Sequence, residues 1–229
     1  TNANFEHTHI YQAPGNNVET YLISMIAINQ IGCTDTMSVP FNLYPSVTAA
    51  FTADTTGCSP YNAVFVNQSE GAIIFEWSFG DGAISSLPNP THLYMTDYTT
   101  DLVYPVQLIV ESEFGCRDTA NANMHIYHSP LSVVQVDSLF GCYPQSAVFA
   151  NQSIGADSYQ WVYGTGETST TADSLHTHAF YNFGSTMQTY NVTLNAYTVN
   201  GCSATDNAIV QVSPQIEADF TVNAEGCSP

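Results

Sequence analysis

FEWSFGDG, residues 75–82, is the stretch on which the fold turns. Phe75, Trp77 and Phe79 alternate with Glu76 and Ser78, the period of a strand that turns one face to a core. Gly80, Asp81 and Gly82 then mark a turn, where an aspartate between glycines suits backbone conformations with positive φ. The design returns in YQWVYGTGE, 159–167, with Tyr159, Trp161 and Tyr163 on the inward phase and Gly164 and Gly166 in the turn. Further strands show the same alternation: Tyr104, Val106, Leu108 and Val110; Tyr190, Val192, Leu194 and Ala196; Tyr21, Ile23, Met25 and Ala27. No stretch has helical spacing. Turn signals such as LPNP at 87–90 and FGC at 114–116 predict about seven short strands per unit, an all-β sandwich with Trp77 and Trp161 central to its cores.

Outward from these turns the chain repeats. Cys58, Cys142 and Cys227, each in a GCxP motif, are 142 − 58 = 84 and 227 − 142 = 85 residues apart. A second series, Cys33, Cys116 and Cys202, each preceded by glycine, steps by 83 and 86. His9, His92 and His178 each stand 12 residues before Tyr21, Tyr104 and Tyr190, and AVFVNQS at 63–69 returns as AVFANQS at 147–153. The expected organisation is the C-terminal part of a repeat at 1–47, complete repeats at 48–130 and 131–214, and the first strand of another at 215–229. Half a unit cannot bury its apolar face, so 1–47 is expected to order only against a preceding half, within a longer protein.

Composition narrows the function. The 229 residues carry 20 acidic side chains and one basic residue, Arg117, a formal net charge of −19. Phosphate neutralisation needs several Lys or Arg, which excludes nucleic acid and an anionic membrane surface as partners. No apolar run approaches a membrane span, so no membrane insertion is expected, and the mean hydropathy of −0.03 is that of a soluble chain. A lysine-free acidic surface keeps neighbouring units soluble and mutually repelling, or reflects a compositional habit of the source.

The run WSFGDG, followed by NPTHLY, YPVQLIV and FGCRDT, resembles a polycystic-kidney-disease (PKD) domain, an immunoglobulin-like sandwich with a W-x-F-G-D-G hallmark. The likeness covers the first complete repeat almost end to end. The second departs at Tyr163 and Thr165, which favours a turn role for Asp81 over a binding one. The resemblance implies tandem PKD-type sandwiches in a linear array, each contacting neighbouring repeats of the same chain. The paired GCxP and GCxDT motifs resemble those of giant surface adhesins of gliding bacteria exported by the type IX pathway. That likeness implies an extracellular, cell-surface stalk serving adhesion and gliding motility, with surface glycans or motility machinery as partners. The alternative is a PKD spacer or weak substrate-binding module of a secreted polysaccharide- or protein-degrading enzyme. Short D-[ST]-x sequences resemble the O-glycosylation signal of such bacteria and would place sugar on Thr36, Thr55, Thr119, Ser138 and Ser174. The N-glycosylation pattern is also met at Asn67, Asn151 and Asn191, where a structural asparagine is the expected reading.

Catalysis and metal binding find little support in the residues. His7 with His9 and His176 with His178 share strand faces at i and i+2, but the first complete repeat keeps only His92, and a zinc site needs three or four ligands. The recurring histidine is expected to hydrogen-bond locally at a strand start. No G-x-S-x-G or non-repeating Ser/His/Asp cluster points to a nucleophile, so no enzyme is expected. Asp97 with Asp101 and Glu111 with Glu113 offer oxygen ligands that calcium accepts, yet no D-x-D-x-D loop supports a site; a solvated face and no cofactor are expected.

One cysteine pair per repeat fits an oxidising exterior. In an immunoglobulin-like sandwich Cys58 and Cys142 fall at one pole and Cys116 and Cys202 at the other, more than about 20 Å apart for strands of six or seven residues. A disulfide needs Cα atoms within about 7 Å. The expected bond is therefore a clamp from Cys58 of one repeat to Cys202 of the next, with Cys33, Cys116, Cys142 and Cys227 pairing outside 1–229. An unusual first strand would instead bring Cys58 to Cys116.

Overall fold

The alternation in FEWSF and YQWVY builds two β-sandwiches in the computed structural model, which describes residues 7–12, 15–222 and 225. Cys227 lies outside the described residues. The ordered elements among them are strands. A hairpin of β1 (Glu19–Ile28) and β2 (Thr34–Leu43) comes first. The first complete repeat contains β3 (Phe51–Thr52), β4 (Thr56–Cys58), β5 (Tyr61–Val64), β6 (Val66–Asn67), β7 (Ile74–Ser78), β8 (Ile84–Ser85), β9 (Thr91–Tyr94), β10 (Leu102–Glu111) and β11 (Arg117–Tyr127). The second contains β12 (Val134–Val136), β13 (Phe140–Gly141), β14 (Gln145–Asn151), β15 (Ser158–Val162), β16 (Thr168–Ser169), β17 (Leu175–Phe180), β18 (Gln188–Tyr197) and β19 (Ser203–Val212). The seven strands expected per unit are thus nine and eight, because breaks and short edge pairings subdivide the longer runs.

Each repeat has a five-stranded sheet, ordered β4-β11-β10-β7-β8 in the first and β13-β19-β18-β15-β16 in the second. The other layer is made of β3-β6 and β5-β9 in the first repeat and β12-β14-β17 in the second. The register puts Trp77 opposite Leu108 and Trp161 opposite Leu194. The strands β10 and β18 thus lie beside the tryptophan strands in the same sheet, and the opposite layer supplies ring partners. The indole of Trp77 meets Phe51 and Phe65, ring centroids 5.0 and 5.3 Å away, and Trp161 meets Phe149 and His176 at 5.8 and 4.3 Å. Both indoles are buried, as are Val106, Leu108, Val110 and Met124, and Trp161 shares a core cluster with Val192, Leu194, Val210 and Val212.

By contact the chain divides into two compact units that do not follow the repeat boundary. One comprises Thr1–Gly57, Tyr61–Tyr94 and Val103–His125; the other comprises Cys58–Pro60, Met95–Leu102 and Ile126–Pro229. Two internal segments of the first sequence repeat, and its last residues 126–130, therefore belong to the second unit. The β1–β2 hairpin shows what half a repeat lacks. Ile23, Met25 and Phe41 occupy the positions of Val106, Leu108 and Met124, yet stand 48%, 65% and 38% exposed, whereas those three residues are at most 1% exposed.

Candidate functional site

The cysteine-bearing turns share one construction. Asn29, Ser112 and Thr198 each stand four residues before Cys33, Cys116 and Cys202, and each side chain accepts a hydrogen bond from that cysteine's backbone N–H, at 2.9, 3.2 and 3.1 Å. The glycine between has φ of +88°, +80° and +85° at Gly32, Gly115 and Gly201. A left-handed residue just after a tight turn is what a short hairpin loop requires. The GC dipeptide thus fixes where the thiol emerges.

Within the second compact unit Cys58 and Cys202 are joined by a disulfide, with Cα atoms 5.6 Å apart and a sequence separation of 144. Cys202 is buried. Cys33, Cys116 and Cys142 are free thiols, Cys33 and Cys142 exposed. A polar hub in the same unit surrounds Asp101. Its Oδ1 accepts from the backbone N–H of His128 at 2.9 Å and lies 2.6 Å from His128 Nδ1, while Oδ2 accepts from Asn200 Nδ2 at 2.9 Å. His128 Nε2 faces the Gly155 carbonyl at 3.0 Å. Both ring nitrogens face acceptors, which only the doubly protonated imidazolium can satisfy. Burial opposes that charge, but Asp101, the Gly155 carbonyl and Asp157 together raise the His128 pKa. The hydrogen bond from the His128 amide leads in holding the Asp101 carboxyl below its ordinary value. A Cβ on Gly155 would overlap the Tyr98 carbonyl, so this position admits only glycine.

Asp81 has a double role. Gly80 and Gly82, with φ of +86° and +95°, supply the left-handed positions; among the described residues none but glycine has positive φ. The rationale of Asp81 itself suiting positive φ is corrected accordingly. Its Oδ1 accepts from the Ala83 N–H at 3.0 Å and its Oδ2 lies 2.7 Å from His92 Nε2. Burial works against the Asp81 charge, and His92 and the Ala83 amide outweigh it, lowering the pKa. His92 stacks on Phe79, centroids 4.3 Å apart and planes within 2°. The local hydrogen bond expected for this histidine is therefore a tie from β9 back to the turn, ring against ring.

The other sequence candidates separate. Asp97 Oδ1 accepts from the N–H groups of Thr99 and Thr100 at 2.9 and 2.7 Å, and Glu111 pairs with Arg117 at 2.6 Å, so those carboxylates are engaged within the fold. No group of three or more metal-ligating side chains converges among the described residues. Thr36, Thr55, Thr119 and Ser174 are exposed, while Ser138 is half-buried and donates to the Phe140 carbonyl. Asn67 and Asn151 accept from the backbone N–H of Ser69 and Ser153 at 2.9 and 3.1 Å. Those serines in turn accept from the N–H of Ala50 and Val133 at 3.1 and 3.0 Å. The duplicated NQS is a tie to the start of each repeat, a role the sequence signalled by its duplication but left undefined.

The family model for the PKD domain matches residues 42–126. Residues 42–126 form a PKD domain. The chain is also similar to the PKD1 domain of Vibrio anguillarum Epp, with 24% identity over 36% of this chain and 95% of that one, TM-score 0.31. The PKD1 domain of the Vibrio cholerae metalloprotease PrtV shares 25% identity over 37% and 98%, TM-score 0.29. A tetra-tandem repeat from the extending region of a large adhesion protein shares 15% over 85% and 57%, TM-score 0.28. No curated protein matches the chain.

The repeat after the PKD domain keeps the ring stack and moves the acid. His178 lies 3.7 Å from Tyr163, planes within 2°. Thr165 stands where the PKD domain has Asp81, and Glu167, where it has Ala83, places its carboxylate 3.4 Å from His178 Nε2. That contact is no hydrogen bond, because His178 Nε2 has no hydrogen-bond partner. Burial lowers the His178 pKa and so disfavours the charged ring that an ion pair with Glu167 needs, against the opposing pull of that carboxylate. His176 is likewise lowered by burial, and its Nε2 meets the Tyr163 hydroxyl at 3.0 Å.

Proposed function

We propose that this chain is a load-bearing segment of the stalk of a long extracellular surface protein, acting as a non-catalytic spacer. The PKD domain supports a structural module, and a disulfide belongs to oxidising compartments. No helix among the described residues is long and apolar enough to cross a membrane. The finer parts of the proposal are display of an adhesive tip on a gliding bacterium, export by the type IX pathway, O-linked sugar at Thr36, Thr55, Thr119, Ser138 and Ser174, and neighbouring repeats as the immediate partners. The sugars rest on the resemblance of the D-[ST]-x sequences, and the other parts on the repeat with its GCxP and GCxDT motifs.

The observation that carries the reading is the bond between the first-series cysteine of one repeat and the second-series cysteine of the next. Force applied at the two ends of the chain crosses from Cys58 directly to Cys202. The intervening residues, with both tryptophans and most strands of both cores, are bypassed. Single-molecule stretching tests this. The oxidised chain should withhold on the order of 500 Å of contour length, the extended reach of 144 residues, and reduction should release it. Equal lengths before and after reduction would sink the stalk reading.

A further inference from the structure

The loop that follows β17 displays an aromatic patch. Phe183 is 78%, Met187 53% and Tyr181 49% exposed. The Tyr181 and Phe183 rings are parallel within 5° with centroids 6.1 Å apart, and Tyr143, beside the free and exposed Cys142, lies 6.0 and 5.4 Å from them. The display is built and not accidental. Asn182, only 4% exposed, donates to the carbonyls of Thr186 and Val212, both at 2.8 Å, and accepts from the Gly184 N–H at 2.9 Å. The Tyr190 hydroxyl donates to the Tyr181 carbonyl. With the residue between them pinned inward, Tyr181 and Phe183 are held outward, at the cost of apolar surface left in water.

The repeat itself says what covers such a surface. Nine residues separate Tyr94 from Tyr104 and Phe180 from Tyr190, so Met95, Asp97 and Asp101 correspond to Tyr181, Phe183 and Met187, as Cys58 and Ser59 correspond to Cys142 and Tyr143. In the first repeat these segments, Cys58–Pro60 and Met95–Leu102, are built into the compact unit formed by the repeat that follows. Cys58 is bonded to Cys202, Ser59 donates its N–H to the Tyr127 carbonyl, and Asp101 holds His128 and Asn200. We propose that Tyr143, Tyr181, Phe183 and Met187 with Cys142 form the docking surface for a further unit of this fold. That unit supplies an apolar loop in place of the polar partners of Asp101, and a second-series cysteine whose thiol joins that of Cys142 by exchange with a small-molecule or protein disulfide, which takes up the two electrons and two protons and leaves as two thiols. The exchange of Asp101 for Met187 makes the two junctions chemically different and would keep units from joining out of order.

This inference rests on the stalk reading only in requiring a further unit. The test uses the full-length protein from its source beside the isolated chain. Peptide mapping without reduction should find Cys142 bonded to a G-C cysteine about 144 residues downstream, the span of the observed bond. Hydroxyl-radical footprinting should oxidise Tyr181 and Phe183 several-fold more slowly in the full-length protein. After reduction, Phe183→Asp should slow reformation of the Cys142 bond and leave that of Cys58 with Cys202 unchanged. A free Cys142, a bond within this chain, or equal ring reactivity in both proteins would overturn the proposal. So would protection of the rings in the isolated chain by oligosaccharides, which would make the patch a sugar platform. The stretching result for Cys58 and Cys202 is independent of all these outcomes, so the proposal can fail while the stalk reading stands.

Discussion

At the scale of single residues the two tryptophans are the largest side chains that the sandwiches fully bury. Trp77 donates its indole N–H to the Leu87 carbonyl at 3.0 Å, whereas the buried Nε1 of Trp161 has no acceptor. Truncation to Ala should cost about 3 to 5 kcal/mol at either site, read from urea unfolding, with Trp77 the larger by the lost hydrogen bond. Losses below about 1 kcal/mol would mean that the cores relax around the cavity. The displaced acid gives a second test. Because Thr165 and Glu167 together replace Asp81 and Ala83, the double change Thr165→Asp with Glu167→Ala should rebuild the first turn on the second. Its expected cost is within about 0.5 kcal/mol, the range of neutral surface changes, and a buried His178 lacking a partner should then gain one, visible as an upward shift of its pKa by NMR.

At the scale of elements, strand phase was legible and strand partnership was not. The i, i+2 alternation of Tyr104, Val106, Leu108 and Val110 is a local property of extended backbone, and Val106, Leu108 and Val110 are indeed buried. The same alternation in Tyr21, Ile23, Met25 and Ala27 marks an equally apolar face, yet there it is exposed, since burial needs a second layer. The GC turns were legible as turns, and the side chain four residues before each cysteine was not, being Asn, Ser and Thr in turn. Gly201→Ala puts a Cβ at φ +85° and should cost about 1 kcal/mol or more, since left-handed backbone disfavours every residue but glycine. It should also slow closure of the Cys58–Cys202 bond in oxidative refolding, whereas Gly184→Ala, outside these turns, should not.

For the molecule as a whole, the Asp101 hub makes stability depend on pH in a direction fixed by its geometry. The His128 pKa is raised above 6.5, so its contribution is complete below that value and is lost as pH rises through the raised one. The Asp101 pKa is depressed below 3.8, so on the acid side the contribution is lost only as pH falls through the depressed value. The difference in melting temperature between the wild type and His128→Asn should therefore be largest between those limits and shrink at alkaline pH. Salt should reduce it modestly, because Asp101 is 42% exposed. His176 and His178, lowered by burial, act in the opposite sense and weaken the second repeat as pH falls through the ordinary histidine range. The sequence by itself determined the repeat period, the phase of each strand, the core tryptophans and the glycine turns, because each is written in residues a few positions apart. The Cys58–Cys202 pairing was also expected from the repeat, with Cys58–Cys116 left open, and the structure has the former. Only the tertiary structure decided that Asp81 holds His92 and that Asp101 gathers His128 and Asn200 from 27 and 99 residues away. Those partners are chosen by how the sheets fold back on one another, and no local pattern of side chains records that choice.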